Sequence, residues 1–243
     1  MNLEFQRYGR NKNTLINNSY IDSGEYRNKF NKITNNRLVN RTLYSISKEM
    51  LRHRSGTLLE DMYWVDMSTG QVVARIIDET KEQCVVYTNS VIKAISNRTN
   101  LITLHTHPNS MPPSISDFNS SLNNEYVYGL VICHNGKIFK YASAQEISEE
   151  LYFLYIEKFL RMGNSEYDAQ IKALNRIKEN FEIFFEEVEW FMKKNNYVLN
   201  DKVIIPKYIR NMSDSQLENE IAKLEKEIHE KKMYETFSIP KAL

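Results

Sequence analysis

Residues 101–118 read LITLHTHPNSMPPSISDF, and this stretch organises the reading of the whole chain. Its first part, with Asn100 in front, is aliphatic and β-branched, so NLITLHTH predicts a strand that Pro108 stops. Alternate side chains on a strand share a face, which points His105 and His107 the same way at the strand's end. Ten residues beyond His107, Asp117 falls in the first turn of a helix that PPS starts, and the connecting loop can fold it back as a third ligand. Two neutral nitrogens and one carboxylate oxygen suit Zn²⁺ and leave its fourth tetrahedral position for water. Bound zinc lowers the pKa of that water towards roughly 7, which supplies a hydroxide-like nucleophile at neutral pH.

Upstream of this stretch, Ser55-Gly56 punctuates the chain, and TLLEDMYWVDMSTGQVVARII predicts a hairpin with its turn at Ser68-Thr69-Gly70. QCVVY, at 83–87, predicts a short strand and NSVIKAISN a short helix. Downstream, YGLVICHNGKIFKYAS predicts a second hairpin, because Asn135-Gly136 supplies the positive φ angles of a tight turn.

At the front, residues 1–25 are polar and Asn-rich and predict an extended or loosely docked arm. Tyr26, Phe30 and Ile33, then Leu43, Ile46, Met50 and Leu51, recur at helical spacing, interrupted near Asn35-Asn36. From Ala144 onward the pattern is helical, with runs at 146–162 and 166–195 separated by Met162-Gly163-Asn164-Ser165. FEIFFEEVEWFM, inside the second run, reads as a helix packing on a core. VLNDKVIIPKYI breaks the periodicity before a last helix opens at Ser213–Glu218, where Ser215 and Glu218 make a capping box. Leu217, Ile221, Leu224 and Ile228 then form a short heptad seam, which suits packing on its own domain or pairing of two chains into a homodimer. The chain thus divides into a basic N-terminal arm with helices (1–54), a central core (55–145) and a helical C-terminal extension (146–243).

Composition narrows the function classes. A chain of 243 residues that is 42% hydrophobic and 26% charged is not wholesale disordered. Residues 1–56 hold 11 Lys and Arg against 4 Asp and Glu, yet no tight basic run occurs, so a solvated face is a better reading than a nucleic-acid interface. Cys84 and Cys133 lie in apolar runs without CxxC pairing and read as reduced core residues of a cytoplasmic protein. No apolar run is long enough to predict a membrane span, and MNLEFQRYGRNKN has no signal-peptide core. HExxH, G-x-S-x-G, Walker and Pro-Cys-x-x-Cys signatures are absent.

At His105-Thr106-His107-Pro108, Ser114-Ile115-Ser116-Asp117 and an upstream Glu60, the chain resembles the JAMM, or MPN-domain, zinc metalloproteases. The resemblance covers about residues 55–145, and HTHPNSMPPSISDFNS looks most like bacterial and prophage members; SYIDSGEYRNKF and MLRHRSGT also look like segments near prophage head proteins. It implies an α/β fold, a mixed sheet flanked by helices in a three-layer core like those of MPN domains and cytidine deaminases. By the same resemblance Glu60 deprotonates the water and returns the proton to the leaving amine, while Ser114 donates to the oxyanion. A zinc hydrolase needs these two parts in any case. The loop between His107 and Ser114 is one residue shorter than in the better-known eukaryotic deubiquitinases, and no long insertion offers a ubiquitin grip.

Rival readings stand beside these. Asp61, Asp66, Glu79 and Glu82 also lie upstream, and Glu60 is preferred because LLEDMYWV places it in the strand entering the first hairpin. Ser114 followed by Asp117 is also a good helix N-cap. His53, His134 and His229 lack partners at ligand spacing and read as surface histidines. The expected activity is zinc-dependent hydrolysis of a peptide or isopeptide bond in a protein or peptide substrate. The alternative is a metal-binding but idle structural or adaptor protein of a prophage-type particle.

Overall fold

The computed structural model describes residues 11–82, 85–189 and 204–237, with side chains described to residue 231. The chain is α/β and forms two compact units. The first takes the described residues up to 143 together with 184–189, and the second takes 144–183 and those from 204 onward.

In the first unit a 3-10 turn at Lys12–Thr14 leads into α1 (Asn18–Ile21), α2 (Gly24–Phe30) and α3 (Arg37–Arg54). Asn17, Ser23 and Asn36 cap the three helices through their side chains, which explains why the Asn-rich front is ordered. The loosely docked arm expected for residues 1–25 is therefore corrected for 11–25, where Thr14 and Ile21 are buried; residues 1–10 lie outside the described residues. Arg37 and Arg41 stand one turn apart on α3, a like-charge pair that costs a few tenths of a kcal/mol. Burying Val39, Leu43, Ile46 and Met50 on the opposite face outweighs that, at about 1.5–3 kcal/mol for each large side chain.

Strands β1 (Met62–Asp66), β2 (Val72–Ile76), β3 (Leu101–His107), β4 (Tyr128–Cys133), β5 (Ile138–Ser143) and β6 (Ile183–Glu187) form one sheet in the order β2-β1-β3-β4-β5-β6. β1 is antiparallel to β2 and β3, β3 is parallel to β4, and β4 is antiparallel to β5. Both expected hairpins form. The chain crosses from β3 to β4 through α5 (Ile115–Asn123), as a parallel pair requires.

Registers across the sheet sort the side chains into two faces. Tyr63, Val65, Ile102, Leu104, Leu130, Ile132 and Ile138 share one face and pack with α2 and α3. Met62, Trp64 and Leu101 share the other, against α4 (Asn89–Ile95) and Tyr126. The first unit is thus three-layered, with helices on both sides of the sheet.

Two expectations about strands are corrected. Val85–Tyr87 is irregular, and Gln83 and Cys84 lie outside the described residues. Tyr87 instead stands edge-on to Trp64, with its hydroxyl among those of Tyr126 and Ser120. The helix expected across 166–195 ends at Asn180, and Ile183–Glu187 is a strand. Ile183 and Phe185 are buried while Phe184 and Glu186 are exposed, a period of two that the edge of the sheet selects. The rest of that expected helix beyond residue 189 lies outside the described residues.

The second unit contains α6 (Glu149–Arg161), α7 (Glu166–Asn180), α8 (Lys207–Arg210) and α9 (Asp214–Phe237). α6 packs on α7 and α9. The cap of α9 is Ser213, which exchanges hydrogen bonds with Gln216, so the Ser215–Glu218 box is corrected by one half-turn. Of the expected seam, Leu217 and Ile221 are buried within the chain, and Leu224 and Ile228 are partly exposed. No helix among the described residues is long and apolar enough to cross a membrane.

Candidate metal centre

His105 and His107 stand at the carboxyl end of β3, on the sheet face turned towards α5. Their Nε2 atoms are 3.0 Å apart. Asp117, in the first turn of α5, brings Oδ1 to 3.3 Å from His105 Nε2 and Oδ2 to 3.6 Å from His107 Nε2. These three residues could hold a metal ion. The two imidazole nitrogens and the carboxylate converge closely enough for one small cation, since one ligand atom from each residue lies within 4.8 Å of the others. His107 Nδ1 lies 3.0 Å from the Met111 carbonyl, which as a donor contact fixes the tautomer that leaves Nε2 free to ligate.

Ser114 caps α5, and the capping box is closed by Asp117. The Ser114 amide and hydroxyl donate to Asp117 Oδ2 at 2.7 and 2.9 Å, and the Asp117 amide donates back to Ser114 Oγ at 3.3 Å. Usually Glu or Gln closes such a box. Here a shorter Asp does so, with Oδ1 turned to His105 and Oδ2 shared between the cap and the His107 side. Pro112 and Pro113 precede the cap, where their fixed φ shapes the loop without removing a needed helical donor.

Glu60 precedes β1. Continuing the β1–β3 register beyond Met62 and His105 sets Asp61 opposite Thr106 and Glu60 opposite His107. Residues directly opposite each other share a face, so Glu60 lies on the histidine face. Its side chain is buried, which pushes its pKa up to about 8 against the attraction of His105, and the nearby Asp117 adds to the rise. Burial also opposes charging of His105, but Asp117 prevails and raises its pKa. His107 is pushed down to about 4 by burial and by its neighbour His105. Asp117 resists the effect of its own burial and is held well below the usual carboxylate range by the histidines.

The other upstream acids are occupied elsewhere. Asp66 accepts amides in its own turn, Glu79 accepts three nearby amides, and Glu82 is exposed. Asp61 points to the opposite face, where His53 Nδ1 is 2.7 Å and Arg54 Nε 2.5 Å from its two oxygens. Two histidines expected at the surface are corrected as well. His53 is largely covered and joined to Asp61, and His134 is buried, bonded through Nδ1 to the Thr14 carbonyl. His229 is exposed as expected.

Sequence reasoning missed the Arg54–Asp61 pair, although a signal was present. Asp61 falls in register with core-facing Tyr63 and Val65, and Arg54 continues the buried stripe of Met50 and Leu51. Two opposite charges on two apolar faces call for each other. Comparison with protein-family models, curated proteins and solved structures finds no match to this chain.

Proposed function

We propose that the chain is a zinc-dependent hydrolase that cleaves a peptide or isopeptide bond in a protein substrate, as in the JAMM, or MPN-domain, metalloproteases its motif resembles. The observation that carries this reading is the pairing, on one sheet face, of a two-histidine, one-carboxylate ligand set with a separate buried carboxylate, Glu60. Magnesium and calcium favour six or more oxygen ligands, so this donor set favours zinc. Zinc, when bound, supplies a Lewis acid that polarises the scissile carbonyl and activates water near neutral pH.

His105, His107 and Asp117 hold the ion. Glu60, which burial favours as the neutral acid and the charge of a bound cation would favour as the carboxylate, would accept a proton from the attacking water and deliver it to the departing amine, so one C–O bond forms as one C–N bond breaks. Glu60→Gln tests the assignment. It should keep the fold and the metal while hydrolysis falls by roughly 10²–10⁴-fold. A proteome-wide comparison of cleavage products between wild type and Glu60→Gln identifies the substrate, and equal turnover by the two would remove Glu60 from the mechanism.

One observation favours a second reading, an idle metal-binding adaptor of a prophage-type particle. The single hydroxyl proton of Ser114 is directed at Asp117 Oδ2, where it orders a ligand and not an oxyanion. In that case zinc removal disrupts partner binding equally in wild type and Glu60→Gln, and no cleavage product separates them.

A further inference from the structure

Glu60 stands in an exacting position without regular structure of its own. β1 begins only at Met62, and the link from Ser55 to Asp61 is irregular apart from a single antiparallel bridge of Leu59 to Glu82, with Gly56 at φ 75°. A general base displaced by about 1 Å can lose roughly 10²-fold in rate, so something must hold this link still.

We propose that Asp61 is a positioning residue for Glu60, its buried carboxylate clamped by Arg54 and His53 so that the backbone between them and β3 is held beside the metal centre. This rests on the catalytic reading of Glu60 given above. The Asp61 amide donates to Thr106 Oγ1 at 3.0 Å, and the Thr106 amide donates to the Asp61 carbonyl at 3.1 Å. Thr106 lies between the two histidines, so these bonds tie Asp61 to the ligand strand itself. On the helical side, Arg54 Nε and His53 Nδ1 take one carboxylate oxygen each. Arg54 Nη2 also donates to the Ile77 carbonyl at 2.9 Å, which prevents the guanidinium from swinging. Because neighbouring residues on an extended chain face opposite ways, locking the Asp61 side chain on one face sets Glu60 on the other.

Energetics point the same way. Asp61 is 0% and Arg54 6% exposed. Burying such a pair carries a desolvation penalty that often cancels its attraction, and apolar replacements of similar volume are commonly neutral or stabilising. Stability alone therefore does not account for a charged pair here, whereas a fixed register and orientation do.

The test uses the full chain with zinc added for the binding and exchange measurements, and compares wild type with Arg54→Met/Asp61→Leu and with His53→Gln. The double variant removes the clamp without leaving a buried charge. It should bind zinc and melt cooperatively, while amide exchange at residues 59–61 and 106 rises roughly tenfold or more. On the substrate found with Glu60→Gln, its kcat should fall roughly tenfold or more at unchanged KM. His53→Gln, at a partly exposed position, should show the same changes at smaller size and serves if the double variant does not fold. Wild-type exchange at residues 59–61 in the folded variants overturns the clamp. Raised exchange with unchanged kcat, where Glu60→Gln is inactive, overturns its positioning role. If Glu60→Gln remains active, the catalytic reading fails, and the exchange measurement still decides the clamp.

Discussion

Ser114 and Asp117 hold each other by three hydrogen bonds that involve their side chains, so the residue that caps α5 also orients a candidate metal ligand. Ser114→Ala should loosen the helix start by about 1 kcal/mol. It should also weaken zinc binding by roughly 10–100-fold, the usual effect of losing a ligand's hydrogen-bond partner. Ser114→Thr should restore both, as read by thermal melting and a competitive zinc titration. If Ser114→Ala instead leaves melting and affinity intact but lowers turnover by about 10²–10³-fold, the hydroxyl serves the oxyanion.

The purified chain should carry about one zinc ion, and His105→Ala, His107→Ala or Asp117→Ala should each remove most of it, since three protein ligands leave no redundancy. Elemental analysis of dialysed protein checks this. Full occupancy in His105→Ala/His107→Ala would refute the site.

Gly129 lies in β4 opposite Tyr141 of β5, and a Cβ added there would overlap the Tyr141 ring. That ring is buried, 5.3 Å from Phe118 and 6.1 Å from His105, so it has nowhere to retreat. Gly129→Ala should cost about 1–3 kcal/mol by overpacking. Paired with Tyr141→Val, the total in denaturant unfolding should be less than the sum of the single costs, because the two residues share one space. Additive losses would mean that the ring moves aside freely.

The C-terminal seam is half consumed within the chain, since Leu217 and Ile221 are buried there. Leu224→Lys should therefore leave the sedimenting mass unchanged. A drop from dimer to monomer would show that Leu224 and Ile228 pair between chains.

Much of this architecture was legible because local signals agreed. The Asn-Gly turn, the apolar stripe of α3 and the β3 run ended by Pro108 each pointed to one structure. Residues 181–189 were not legible, because Phe181, Phe184, Phe185 and Val188 fit a helical spacing while Ile183 and Phe185 fit an alternating one. Sheet edge pairing decided between them, and that lies outside the segment. At the site, the convergence of the three candidate ligands could be read because they fall within thirteen residues of chain, from 105 to 117. The clamp around Asp61 could not, since it joins a helix end, a loop and a strand through space. Ser213 rather than Ser215 became the cap of α9 because α8 ends at Arg210 and leaves only a short turn before the next helix.

That compactness of the ligand set has a temporal consequence. His105, His107 and Asp117 need only one strand end, one loop and one helical turn, whereas Glu60 arrives from 45 positions before His105 and only when β1 pairs with β3. Short closures form early and long ones late in folding. On the proposed reading, a nascent chain acquires its ion before it acquires its base. On that reading it would pass through its most exposed, self-accessible stage loaded but harmless, and would gain hydrolytic power only once its own backbone is folded out of reach.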